Sequence, residues 1–163
     1  MIAPASQDKL SSHHSDESTS GVAVLNSTLG PVALYYAKGH LTHLEQTTQT
    51  PGKVPAWVHA WWHQRGKPAV LPACALDELS PFTQAVLRAV SAIPAGETRS
   101  YAEVARAVGH PRAARAVGQA LGANPLPLLI PCHRVVGSKA IGGFAWGQAA
   151  KIALLEAERR ALA

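Results

Sequence analysis

The stretch Leu128-Leu-Ile-Pro-Cys-His-Arg-Val-Val136 sets two apolar runs around three chemically capable residues. Apolar flanks of this kind sink into a core. Pro131 fixes its own φ and pushes Ile130 toward extended backbone. The stretch therefore predicts an extended segment over 128–136 that holds Cys132 in a semi-buried wall. The thiolate, not the thiol, is the nucleophile, and a neighbouring base or positive field raises its fraction. His133 is the adjacent base and Arg134 the adjacent cation. A Cys-His pair alone equally describes a buried structural cysteine beside an incidental histidine, so the rest of the chain has to decide.

A chain of 163 residues allows one domain or two small ones, and 47% hydrophobic residues are enough for a core. No apolar run reaches membrane-spanning length, and the N-terminus lacks a basic-then-apolar leader pattern. Residues 1–20, rich in Ser, His and Asp, read as a flexible tail. The two cysteines, Cys74 and Cys132, argue against a disulfide scaffold and fit free thiols in a reducing cytoplasm. No zinc-type Cys/His spacing is present. Charge is uneven: Phe82 to the end holds ten Lys/Arg against four Asp/Glu, while Met1 to Pro81 holds five against six. A basic C-terminal half suits a polyanionic partner, although surface solubility alone accounts for such a charge.

Along the chain, Gly21–Leu25, Val32–Tyr36 and His40–Leu44 are β-prone, with a turn between Asn26 and Pro31; a three-strand meander is the simplest reading. His40 and His43 then fall on opposite faces, which disfavours a shared metal site. Ala56 to Gln64 places Trp57, Val58, Trp61 and Trp62 at helical spacing, a core-facing amphipathic pattern. Ala69 to Ala75 reads as a further strand, with Cys74 there for packing. The junction between an N-terminal unit (21–78) and a C-terminal unit (79–163) falls near Asp77–Pro81.

Ser80-Pro81 is an N-cap followed by proline at the first helical position. A helix follows to about Ala92, with Phe82, Val86, Leu87 and Val90 inward. Ser100-Tyr-Ala-Glu103 has capping-box spacing and opens a helix over 101–108 that stops at Gly109. Pro111 opens the next, over about 111–122. Two short helices across a Gly-containing turn suggest a helix-turn-helix, a pattern shared with unrelated helical hairpins. Ala113, Ala114 and Gly118 make one side of the second helix small enough for close backbone approach. Arg112 and Arg115, three apart, share its face. Small residues with arginines suit groove binding; tight packing on a neighbouring helix is the plain alternative. A Gly-rich turn spans 137–143. A last helix over about 147–161 turns Ile152, Leu154 and Leu155 inward and sets Lys151 and Glu158 on roughly one face.

Pro131-Cys-His-Arg-Val135, together with Asn124-Pro125, Gly143-Phe-Ala-Trp-Gly147 and Lys151-x-x-Leu-Leu-x-x-Glu158, resembles the active site of the O6-alkylguanine-DNA alkyltransferases. The similarity runs from about Ser80 to Glu158. It implies an α+β fold: a small antiparallel-sheet α/β N-terminal half packed on a helical, winged-helix-like C-terminal half. It also implies double-stranded DNA carrying alkylated bases as partner, bound through the minor groove with a flipped nucleotide, by a monomer needing no cofactor or metal.

The resemblance further implies roles. Cys132 accepts the alkyl group, His133 takes its proton through a water, and Glu158 orients His133. Tyr101 hydrogen-bonds guanine N3, and Asn124 ties the end of the recognition helix to the active-site segment. Arg115 replaces the flipped nucleotide in the stack. The carbonyls of Cys132 and Val135 read the guanine amino group, the Ala145 amide approaches O6, and Pro127, Phe144 and Trp146 line the pocket. O4-alkylthymine is the lesser substrate. Two departures bear on the alkyl groups accepted: the segment after Val136 is about one residue shorter than in many relatives, and Phe144 stands where a tyrosine is common. A DNA-binding damage sensor of this type lacks the cysteine. A transcription regulator adds a second domain, for which this chain is short. A Cys-His hydrolase needs an oxyanion hole that the sequence does not supply.

Overall fold

The structure, a computed structural model, describes residues 20–38, 40–52, 54, 56 and 76–162. The predicted tail before Ser20, nearly all of the tryptophan-rich helix over 56–64, and the 69–75 strand with Cys74 lie outside the described residues.

Strands β1 (Gly21–Ser27), β2 (Gly30–Ala37) and β3 (His40–Gln46) form the antiparallel meander in the order β1-β2-β3. The first turn is closed by Ser27, whose hydroxyl donates to the Gly30 carbonyl at 2.8 Å and accepts from the Leu29 amide at 3.0 Å. The β2–β3 register shifts between Tyr35 and Tyr36, so Tyr35 faces His43 but Tyr36 faces Leu41. Thr42 is the extra residue, and its hydroxyl donates to the Tyr35 carbonyl at 3.2 Å. This bulge corrects the expectation for the two histidines. It restores phase after one residue, so Leu41 and Leu44 are both buried and His40 and His43 are both exposed.

Helix α1 (Pro81–Ser91) starts as predicted, with the Ser80 hydroxyl accepting from the Thr83 amide at 3.2 Å and Pro81 in the first turn. Val86, Leu87 and Val90 are buried, and Phe82 packs partly buried against the core. The two-residue strand β4 (Arg99–Ser100) leads into α2 (Tyr101–Ala107). The capping box forms: the Ser100 hydroxyl accepts from the Glu103 amide at 3.1 Å, and the Glu103 carboxylate accepts from the Ser100 amide at 2.7 Å.

Helix α3 (Ala114–Gly122) begins later than the predicted Pro111. A turn closed by the Ala113 amide on the His110 carbonyl at 2.9 Å takes Pro111 and Arg112 instead. Proline fits the second position of such a turn as well as it fits a helix start. Arg112 therefore does not share a helical face with Arg115.

The 128–136 segment is not extended. Pro127 bridges Ile130, Leu128 takes a φ of 76°, and Cys132–Arg134 form one turn of 3-10 helix before strand β5 (Val135–Val136). β5 pairs in parallel with β4, Arg99 opposite Val135. In a strand, Cys132 and Arg134 would share a face. At three residues per turn, successive side chains splay by about 120°, so the three residues point three ways.

Helix α4 (Gln148–Leu162) buries Lys151, Leu154 and Leu155. Ile152, expected inward, is 43% exposed; it stands about 100° around the helix from Lys151. Sheet and helices share one hydrophobic cluster that runs from Ala23, Val32 and Leu44 through Val86, Val104 and Val117 to Ile130 and Leu154. The Leu44 amide donates to the Pro125 carbonyl at 3.0 Å, fixing β3 to the loop that precedes the Cys132 turn. These features make the chain an α+β fold with a helix-turn-helix.

Candidate active site and nucleic-acid interface

The Cys132 turn is held from both ends. Ile130 donates its amide to the Leu126 carbonyl at 2.8 Å, and Arg134 donates its own to Pro131 at 2.9 Å. Asn124, at the end of α3, bridges the two chain segments. Its amide donates to the Ile130 carbonyl at 3.0 Å and its carbonyl accepts from the Leu126 amide at 2.9 Å. Shifts at the end of α3 are thereby passed to the residues that carry the thiol.

His133 is 2% exposed, with Nε2 at 2.7 Å from Glu158 Oε1. An ionised carboxylate only accepts, so Nε2 carries the hydrogen, and in the neutral ring Nδ1 presents its lone pair. Nδ1 is buried and has no hydrogen-bond partner among the described residues. Glu158 is a hub: it also accepts from the Gly96 amide at 3.1 Å and from Arg134 Nε and Nη2 at 3.0 and 2.7 Å. Burial alone would raise its carboxyl, but the hydrogen bonds from His133 and then Arg134 bring it down to about 2. The carboxylate is therefore permanently ionised at neutral pH, and it fixes the ring and its tautomer.

Arg134 is 3% exposed and gives its remaining contact to the Ile93 carbonyl at 2.6 Å. It points at Glu158 and not at the thiol, which corrects the expectation that it supplies field to Cys132. The cation on the thiol's side is Lys151, to which the sequence reading gave no role. Its Nζ donates to the carbonyls of Val135 at 2.5 Å and Gly143 at 3.0 Å. Burial pushes the Cys132 thiol up, while a hydrogen bond from Asn124 and the charge of Lys151 pull it back.

Cys132 lies at the wall of a cavity of about 270 Å³, together with Tyr101, Gly118, Leu121, Gly122, Gly143, Phe144 and Ala145. Drug-sized ligands fill about 300–1,000 Å³, so this space is scaled to a smaller group such as one nucleobase. Phe144, in the cavity lining, stands edge-on to His133 at 6.1 Å and to Trp146 at 5.9 Å between ring centres. Gly142, with φ of 81°, is required here: a Cβ would lie 2.5 Å from the Tyr101 hydroxyl. A second, open groove of about 490 Å³ is lined by Ser100, Tyr101, Ala102, Ala114, Arg115, Gly118, Gly137 and Ser138. The two share Tyr101 and Gly118, so the small face of α3 leads to the thiol.

The structure thus brings Cys132, His133, Glu158, Asn124 and Tyr101 together, with Phe144 and Ala145 at the cavity and Ala114, Arg115 and Gly118 at its approach. Arg112 and Ala113 sit outside the groove lining. Pro127 is buried in the bridge to Ile130 and does not line the cavity. The Val135 carbonyl already accepts from Lys151, which leaves one lone pair for a ligand. Lys151 carried a signal in the sequence: a lysine three and four residues before Leu154 and Leu155 sits inside the apolar stripe of α4. Among the described residues no Cys/His/Asp/Glu group has metal-site geometry, and no helix is long and apolar enough to cross a membrane.

The fold and site define a class: a helix-turn-helix α+β protein with a buried thiol, a histidine–carboxylate pair beside it and a base-sized cavity between thiol and groove. Residues 81–160 match the family described as 6-O-methylguanine DNA methyltransferase, DNA binding domain. The methylated-DNA–protein-cysteine methyltransferase of Mycobacterium leprae is 37% identical over 153 residues, covering 83% of this chain and 90% of that protein. The constitutive enzyme of that name from Bacillus subtilis is 51% identical over 82 residues, 49% of this chain. The chain spans about half the length of that and other curated relatives. A crystal structure of Mycobacterium tuberculosis OGT in complex with DNA superposes with a TM-score of 0.66 at 32% identity, covering 85% of this chain and 93% of that one. The chain belongs to the methylated-DNA–protein-cysteine methyltransferase family.

Proposed function

We propose that the protein repairs DNA by direct reversal, moving an alkyl group from guanine O6, and less readily from thymine O4, to Cys132. The observation that carries this is the thiol at the wall of a base-sized cavity, with the His133–Glu158 pair beside it and the Ala114–Arg115–Gly118 groove leading in. A base in the stack is out of reach of a buried sulfur, so the nucleotide must swing out. The small face of α3 lies in the minor groove, and Arg115 takes the vacated place in the stack.

His133 Nδ1 takes the thiol proton through a water, and Glu158 supports the imidazolium through its hydrogen bond from Nε2. Cys132 Sγ then attacks the alkyl carbon. The S–C bond forms, the C–O6 bond breaks, and its electron pair passes to the guanine. Tyr101 hydrogen-bonds N3 as charge builds there, and the purine regains one proton as it becomes guanine. Asn124 positions the segment that carries the thiol. The Cys132 and Val135 carbonyls read the amino group, the Ala145 amide meets O6, and Phe144 and Trp146 shape the pocket. Methyl is the simplest group for a cavity of this size. The thioether product has a very poor leaving group, so each molecule acts once. A working free thiol calls for a reducing compartment, the cytoplasm, where the protein acts as a monomer without a cofactor.

The reading is tested with a duplex whose restriction site is blocked by one O6-methylguanine. Incubation restores cleavage in an amount equal to the protein added, and no further. Restoration beyond one duplex per protein would overturn single-use transfer.

A further inference from the structure

Lys151 has no exposed surface, yet among the described residues no carboxylate pairs with it. Its ammonium rests on two neutral acceptors, the Val135 and Gly143 carbonyls, and lies 5.9 Å from the centre of the Tyr101 ring. Gly143 lines the thiol's cavity, and Val135 directly follows the Cys132 turn. A buried ammonium without an anion is unfavourable, so the site is electrostatically incomplete until a negative charge forms beside it. The reaction forms one there, the Cys132 thiolate.

We infer that Lys151 is the positioning residue that stabilises the Cys132 thiolate, acting by field across the cavity wall rather than by proton transfer. The other groups around the thiol do not substitute for it. His133, on the same turn, is held by Glu158; Arg134 is neutralised by that same carboxylate; Asn124 gives the thiol a hydrogen bond but no charge; Tyr101 from α2 offers a hydroxyl; and α3 brings Gly118, Leu121 and Gly122 to the cavity. Burial lowers the Lys151 ammonium, while the charge of Cys132 raises it again, so each favours the ionised form of the other. The two carbonyl contacts give the same side chain a second task, clamping the 142–143 loop to β5.

The inference rests on Cys132 as the acceptor, but its test does not require DNA. Iodoacetamide alkylates a thiolate, with sulfur bonding to its methylene carbon, iodide leaving and the thiol proton going to solvent. The rate is followed against pH on the Cys132 peptide, so that Cys74 does not contribute. Lys151→Gln keeps amide donors for the two carbonyls and removes the charge. Its midpoint rises by about one pH unit, so that it reacts about tenfold more slowly below the midpoint. Lys151→Met shows the same rise, and Lys151→Arg keeps the wild-type midpoint. A folded Lys151→Gln protein titrating like wild type would reduce Lys151 to a clamp and overturn the inference. So would a folded Lys151→Arg protein whose midpoint moves upward. A wild-type protein that takes no methyl from an O6-methylguanine duplex while these shifts appear would sink the repair reading alone.

Discussion

Two buried cations, Arg134 at the end of the Cys132–Arg134 turn and Lys151 on α4, are held in opposite ways. Arg134, 3% exposed, is locked to Glu158 through Nε and Nη2, and its charge is spent there. Lys151, fully buried, hydrogen-bonds two carbonyl oxygens and pairs with no carboxylate among the described residues. The back of the turn is thus charge-matched and rigid; the front keeps an unmatched positive charge beside the nucleophile. A cavity of about 210 Å³ lies against the matched side, bounded by His133, Arg134 and Glu158, and the base-sized cavity lies against the other. One cation fixes geometry and the other is left free to answer a change in charge.

The largest effect comes from breaking the matched side. Glu158→Gln leaves Arg134 buried without its anion and His133 without its orienting carboxylate. Melting should show a loss of about 3 kcal/mol, the low end for breaking a buried pair. Single-turnover transfer should slow by about 100-fold, the lower range for general-base catalysis.

The same pair gives acid sensitivity with a defined sign. The Glu158 carboxyl is depressed in the folded protein to about 2 from an ordinary 4.5. A depressed carboxyl stabilises the fold above its unfolded value, and that stabilisation is lost as pH falls from 4.5 toward 2. Melting temperature plotted against pH should fall across this window in the wild type and more shallowly in Glu158→Gln.

On the front, Gly142→Ala presses a methyl against the Tyr101 hydroxyl at a φ of 81°. It should cost about 1–2 kcal/mol in a denaturant melt, from the left-handed backbone alone. It should also slow transfer while leaving Glu158 and its acid window untouched. The smallest effect on the fold is that of Arg115→Ala: exposed in the groove, it should change stability by less than about 0.5 kcal/mol. Transfer from a duplex should drop, and transfer from the free modified base should not. Equal losses with both substrates would remove Arg115 from DNA binding.

Local rules are legible in the sequence. Ser80-Pro81 and Ser100-x-x-Glu103 specify helix starts through contacts three residues away, and both form. The Cys132, His133 and Glu158 constellation was readable through family spacing. Choices settled by distant partners were not. Pro111 suits a helix start or a turn, and the His110–Ala113 bond decided it. The apolar flanks of Pro131 do not distinguish a strand from a 3-10 turn, whereas a left-handed Leu128 and the parallel β4–β5 pairing do. The extra Thr42 that reverses the histidine faces depends on register with β2. In the linear chain Arg134 stands two residues from Cys132 and Lys151 nineteen, so sequence adjacency points to Arg134; only the folded protein shows that Arg134 is claimed by Glu158 and that Lys151 is the cation near the cavity.

Intact mass tests the central claim most directly. The protein is incubated with a short duplex carrying one O6-methylguanine, then weighed and digested. A gain of one methyl group on the Cys132 peptide, absent from Cys132→Ala, is the predicted result. An unchanged mass with the duplex still tightly bound would contradict the account and leave a damage-binding protein in place of a repair protein.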